Sequence, residues 1–519
     1  MLKMKSLSEN RNVFYGLMFS CISLIVALIG SFIVTPVVLN RIGDKNYGLL
    51  AFCNSITIWL NLVSEALGAS YIYFVTKEAK ETGDEKQTNS LFFKMLSVSS
   101  VIAATLSFVV VAILKFSGFQ FSKYTPSEND LIFVLLVISG LNVSVTIFFS
   151  TFRLFNSYKK QFVFVRLVMI IISILTYFAN YIIAITVKSI ITIAVFSVGF
   201  SFLHGLINCI YALKIKRMHF DHIRICAYKD EFHSIVKYSS VIMVGTIIGN
   251  IDSNLDKTLL GLMVNAESVT MYNLSIIFFT YLNVLAWAFI ETMRPKIHEL
   301  YASNRIDEAN SLFLKICKMQ SIVVLLIIGG FISCGYHFIT LWIGSQRIAV
   351  YYYTVALFLA RIVPLTKQAS GEAYRANNIH RITVRFSFIS IAMNLALSIL
   401  LIFILKNEYA VWACIIGTVV PMFLFSYIVV PILDVKKLKL PIKKYYLELF
   451  KLFLIMAIAI VPALIETIIF EKTELILIIR VLIEGCTFVL FYVIGIVLFE
   501  KETIKNVYYS YIKRDKILR

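Results

Sequence analysis

About fourteen apolar runs, each of roughly 20 residues or more, decide what this chain can fold into, because a run of that length spans the hydrocarbon core as a helix. They lie near 13–39, 47–75, 91–114, 130–152, 162–187, 189–213, 238–264, 267–291, 313–343, 348–366, 380–405, 409–433, 447–470 and 475–499. The run at 313–343 is overlong and is expected to hold a short outer loop around Gly335. The fold class this implies is an all-α integral membrane protein. A hydrophobic share of 59% against 15% charged residues agrees with it.

Charge then orients the helices. A formal net charge of +19 over 519 residues is of the sign that nucleic acid attracts. About 38 of the 49 basic residues, however, fall in alternate short loops and the tails. That asymmetry places both termini in the cytoplasm and calls for an even number of spans, with no nucleic-acid partner. Outer loops keep Arg41, Lys45, Lys115, Lys123, Lys188, Arg347, Lys406 and Lys472. The first run, Val13 to Leu39, is too long for a cleavable signal peptide and is followed by further spans. Eight single cysteines form no metal-ligand or disulfide pattern, and no cofactor is expected. Loops are short throughout, so the work is done by helices inside the bilayer.

The seventh run carries the most polar chemistry. Gly245, Thr246, Gly249, Asn250, Asp252, Ser253, Asn254, Asp256, Lys257 and Gly261 share one arc of a helix, opposite Ile247, Ile248, Ile251, Leu255, Leu259 and Leu262, with Thr258 the exception. Charges at that depth cost about 2.5–3.5 kcal/mol each on insertion scales, so the arc is expected to wall an aqueous cavity. A thin repeat supports two halves. Residues 35–52 and 259–276 each run from an apolar segment through an Asn to a Tyr, and Tyr47 aligns with Tyr272 when Asn40 is set on Asn265. The expected organisation is an N-terminal lobe over 1–233, a C-terminal lobe over 234–445, and two further helices with a basic tail over 446–519. Sites at a repeat interface are typical of secondary transporters.

Three pieces of sequence carry a resemblance. They are Asn40-Arg41-Ile42-Gly43-Asp44 with Tyr47-Gly48, Asp256-Lys257 with Leu260-Gly261 followed by Glu267, Val269 and Tyr272, and Leu341-Trp342-Ile343-Gly344. In this order and spacing the chain resembles the Wzx-type polysaccharide flippases of the multidrug/oligosaccharidyl-lipid/polysaccharide exporter superfamily. It departs from their pattern at Arg41 and at Thr270-Met271. The resemblance implies two six-helix lobes around a central cavity, alternating access, and transport of an undecaprenyl-diphosphate-linked oligosaccharide across the bacterial cytoplasmic membrane for O-antigen or capsule synthesis, with H+ or Na+ as the candidate coupling ion. Its partners would be that lipid-linked oligosaccharide, membrane lipids, and the polymerase and chain-length proteins of the same pathway. The alternatives are a lipid II or multidrug exporter of the same superfamily, or a membrane polymerase or ligase. The enzyme alternative lacks a large outer loop and a catalytic constellation.

Diphosphate needs cations, Arg as a bidentate fork or Lys as a point charge. The substrate-binding candidates are Lys257, Arg361, Arg153, Arg294 and Lys367. Asp252, Asp256 and Glu65 are candidate ion-coupling carboxylates. Pro364 beside Arg361 offers a helix break that can re-aim backbone groups. Glu291 with Arg294, and Arg480 with Glu484, have the spacing of intrahelical ion pairs. His204 reads as the one histidine well inside a span. Tyr272, Tyr281 and Trp342 are secondary candidates for stacking against sugars.

Overall fold

In the computed structural model, residues 2–221, 228–405, 407–470 and 476–500 are described, their side chains except at 2–17, 21, 63, 241, 248–253 and 407. Among the described residues there is no strand. The apolar runs become α1 (Leu2–Ile42), α2 (Asp44–Thr57), α3 (Leu62–Glu81), α4 (Lys86–Phe116), α5 (Pro126–Tyr158), α6 (Phe162–Thr186), α7 (Ile190–Ile210) and α8 (Lys229–Met263). They continue as α9 (Ala266–Ala302), α10 (Ile306–Ile343), α11 (Ala349–Ala360), α12 (Ile362–Thr366), α13 (Gln368–Ala376) and α14 (Arg381–Ile404). Last come α15 (Ala410–Met422), α16 (Val430–Leu438), α17 (Ile442–Phe470) and α18 (Leu477–Phe499). The chain divides into two compact units, Met1–Asn273 with Lys406–Ala410 and Leu274–Leu405 with Val411–Arg519.

Twelve helical stretches among the described residues are long and apolar enough to cross a membrane. The two expected spans outside that set have physical reasons to differ. Helix α8 is continuous but carries the polar arc. The tenth run is broken at Arg361 into pieces of 12 and 5 residues, α11 and α12. Pro364 explains the break: it has no N–H for the carbonyl of Ala360 four residues earlier, and its ring crowds that carbonyl. The backbone answers by tightening, with Arg361 N–H donating to Phe358 O at 3.1 Å. No outer loop interrupts the ninth run. Helix α10 runs unbroken through Gly335 for 38 residues, about 57 Å at 1.5 Å per residue.

Helix ends follow local chemistry. Thr125 and Glu128 form a capping box at the start of α5, with Pro126 in its first turn. Gly43 ends α1 at φ 93° and ψ 155°, and Gly344 ends α10 at φ 93° and ψ 153°. Any other residue is strained there by about 1–3 kcal/mol. These are the glycines of the two Ile-Gly motifs.

In the first unit the two repeated segments pack on each other. A Cβ at Gly48 would collide with the Ala266 carbonyl, and one at Gly261 with the Phe52 ring. Thr270 Oγ1 donates to Asp44 O at 2.6 Å, and Asn273 Nδ2 donates to Tyr47 OH at 3.2 Å. Ser55 and Thr258 share a hydroxyl hydrogen bond of 2.9 Å. Thr258, the one polar residue in the apolar arc of α8, thus has a polar partner on α2. In the second unit α10, α17 and α18 share one core, where Gly329 lets Phe488 and Met456 approach. Lys318 and Lys451 tie the same helices together through Glu448 and Glu500.

Candidate functional site

The polar arc on α8 is packed at its C-terminal end, where Asn254, Asp256 and Gly261 are buried, whereas Gly245 is exposed with open space beside it. Asp256 is 2% exposed and accepts a 2.5 Å hydrogen bond from Tyr272 OH. Lys257 is half-buried, and among the described residues no carboxylate lies within ion-pair distance of it. The Asp252 side chain lies outside the described residues. Glu65 is exposed and accepts a hydrogen bond from Asn61 Nδ2 at 3.1 Å. Arg153, near the end of α5, is exposed.

The second unit holds the remaining cations. Arg361, at the α11–α12 break, is 2% exposed, and its guanidinium carbon lies 3.6 Å from the centroid of the Phe279 ring. That is cation–π contact in a desolvated place. Lys367, between α12 and α13, is buried and ion-paired with the fully buried Asp434 of α16. Arg294 does not pair back to Glu291 one turn away. It reaches across to Glu372 on α13 at 3.1 Å.

Glu372 is the centre of a cluster. Its carboxylate is 1% exposed and is met by Arg294, by Arg375 at 2.6 Å and by His298 at 3.5 Å. The guanidiniums of Arg294 and Arg375 also lie 5.7 and 5.6 Å from the Trp287 ring centroid. Beside them Gln368 Nε2 donates to Asn283 Oδ1 at 3.2 Å, and Gln320 Nε2 donates to Gln368 Oε1 at 3.4 Å. Helical spacing puts Asn283, Trp287, Arg294 and His298 on one stripe of α9, and Gln368, Glu372 and Arg375 on one stripe of α13. The two stripes meet. Two guanidiniums against one carboxylate leave a surplus positive charge, since Arg stays protonated. Both remain half-exposed, at 40% and 50% of the side chain. Chemically this surface offers donors for phosphate oxygens, amides for hydroxyl groups and an indole face for an apolar sugar face.

Comparison with known proteins supplies the family. Residues 11–301, more than half the chain, match the polysaccharide biosynthesis protein family. The chain belongs to that family. Among solved structures it is similar to the lipid II flippase MurJ in an inward closed conformation, at 15% identity over 94% of this chain and 99% of MurJ, with a TM-score of 0.69. It is also similar to an inward-facing multidrug resistance MATE family transporter of the MOP superfamily, at 10% identity over 80% of this chain and 99% of that one, TM-score 0.62. A MOP superfamily transporter from Pyrococcus furiosus matches at 11% identity over 82% of this chain and 94% of its own, TM-score 0.51. No curated protein matches. Family and fold together make this polysaccharide biosynthesis protein a multi-pass membrane protein with the helical fold shared by these flippase and exporter structures.

Sequence reasoning found Arg294 and missed its partners. Glu372 and Arg375 gave a usable signal only in hindsight, as a short polar helix following a proline break, and Trp287 and His298 only as residues in helical register with Arg294 on α9. A second omission is His337, buried near the C-terminal end of α10. Its Nδ1 lies 2.8 Å from Glu484, which also accepts from Thr467 Oγ1 at 2.8 Å. The expected outer loop near Gly335 hid it. Of the expected sugar platforms, Tyr272 and Trp342 are buried in packing, Trp342 stacked on Phe338 with centroids 6.0 Å apart. Tyr281 is half-buried.

Proposed function

We propose that this protein is a flippase for undecaprenyl-diphosphate-linked oligosaccharide repeat units in the bacterial cytoplasmic membrane, working by alternating access with both termini in the cytoplasm. The observation that carries the reading is the joined α9–α13 surface, where Trp287 and two amides lie beside Arg294 and Arg375. A lipid-linked oligosaccharide presents those two chemistries together, an anionic diphosphate next to hydroxyl-rich rings. On the orientation that the loop charges favour, this surface lies toward the cytoplasm, where such a substrate is assembled. Arg294 and Arg375 take the diphosphate, Glu372 holds their forks in place, and Trp287 meets the first sugar. Arg153 and Arg361 also serve first capture of the substrate, Lys257 serves a later step, and Asp256 on α8 takes part in ion coupling.

The test is genetic and biochemical. Deletion strands lipid-linked repeat units on the cytoplasmic leaflet and removes the surface polysaccharide, and Arg294→Gln with Arg375→Gln does the same at unchanged membrane levels. Normal surface polysaccharide in a deletion strain without a paralogue sinks the proposal. Rescue of a strain depleted of its lipid II flippase would move the substrate to lipid II.

A further inference from the structure

Eight basic residues lie on the outer side in the orientation set by the loop charges, and three of the six that are described are already engaged. Lys45 pairs with Glu128 and Lys115 with Asp130 at 3.3 Å. Arg347 is buried and donates to the Ile343 carbonyl. Arg41 is different: it is exposed, and it lines a cleft of about 410 Å³ between α1 and α6 together with Asn40, Pro36 and Tyr181. Below the cleft the helices touch, because Gly30 lets the Tyr177 ring lie directly on α1. Above that contact the Pro36 ring and Tyr181, one turn on from Tyr177, let the helices stand apart.

The face that leads to the cleft is apolar and uncovered. Ile22, Ile25, Ile29 and Ile33 are all exposed and recur at helical spacing, on the stripe of α1 that Pro36 and Asn40 extend, with Arg41 at its edge. Across from it α6 exposes Phe178, Ile182 and Ile185. An apolar track that ends in a guanidinium, an amide and a phenol matches one kind of molecule, a lipid whose long chain lies along the track and whose phosphate head sits at the end. Arg suits that head because its planar fork bonds phosphate oxygens in pairs.

We infer that the Arg41–Asn40–Tyr181 cleft is an outer-leaflet site for the diphosphate head of the polyprenyl carrier, with the prenyl chain on the exposed isoleucine stripe of α1. This rests on the flippase reading and adds an exit-side station to it, separate from the α9–α13 surface.

Native mass spectrometry of the full chain tests it, with undecaprenyl diphosphate and phosphatidylglycerol as the two probes. Arg41→Gln lowers binding of undecaprenyl diphosphate about tenfold or more, as loss of charge-assisted hydrogen bonds predicts. Arg41→Lys falls between Gln and wild type because it keeps charge and loses the fork. Phosphatidylglycerol binding changes less than twofold. Wild-type binding by Arg41→Gln, in a preparation with unchanged thermal unfolding, overturns the site. An equal loss for phosphatidylglycerol overturns the carrier assignment in favour of bulk anionic lipid. Tyr181→Phe supplies a second variant, expected to weaken the same probe. The deletion-strain assay separates this proposal from the function: normal surface polysaccharide there removes the flippase reading, whereas lost binding in Arg41→Gln is read on purified protein alone.

Discussion

Removing either partner of the buried Lys367–Asp434 pair should destabilise the second unit far more than removing both. Both side chains are almost fully buried, at 4% and 0% exposure. A single neutral replacement, Lys367→Met or Asp434→Leu, leaves the other charge in a place that solvent does not reach. The cost of breaking such a pair is about 3–5 kcal/mol, whereas replacing the whole pair by apolar residues is often neutral or stabilising by about 1–4 kcal/mol. The double variant therefore recovers most of the loss, and the coupling between the sites comes to about 3 kcal/mol or more. The assay is thermal unfolding of the detergent-solubilised protein, followed by fluorescence-detected gel filtration after heating. Wild-type stability of Lys367→Met would refute the reasoning, and so would a double variant no better than the worse single one. Export then separates two roles for Lys367. A double variant that is stable and exports normally assigns it to structure, and one that is stable but silent returns it to the substrate path.

Other expectations follow from the same geometry. Gly43→Ala and Gly344→Ala should each cost about 1–3 kcal/mol from backbone strain alone, read as a lower unfolding temperature. Gly48→Ala has no such dihedral penalty but drives a methyl into the Ala266 carbonyl, costing about 1–3 kcal/mol by overpacking. Trp287→Ala should reduce export about three- to tenfold with normal membrane insertion, the scale of a lost cation–π and stacking contact. Glu372→Gln leaves two guanidiniums unopposed, so export should fall while stability falls too, and Arg375→Gln in the same chain should restore part of the stability.

How much the sequence told depends on the range of the interaction. Helices were legible because apolar length and 3.6-residue periodicity are local, and the Ile-Gly turns because φ near 93° demands glycine. The break at Arg361 could be anticipated from Pro364, three residues away. Partner choice could not. Arg294 finds Glu372 at a separation of 78 residues, Lys367 finds Asp434 at 67, and His337 finds Glu484 at 147. For Arg294 a local i, i+3 expectation with Glu291 lost to a contact that exists only after folding. Helix α8 shows the same limit from the other side. Asp256 of its polar arc is spent on Tyr272 rather than on water, and Thr258 of its apolar arc finds Ser55.

The most direct measurement of the central claim is the leaflet occupied by lipid-linked oligosaccharide in spheroplasts, scored by its accessibility to an impermeant sugar-oxidising reagent. With the wild-type chain the oligosaccharide is labelled from outside. With the gene deleted, or with Arg294→Gln and Arg375→Gln together, it stays protected until the membrane is opened. Equal labelling in all three strains would contradict the account.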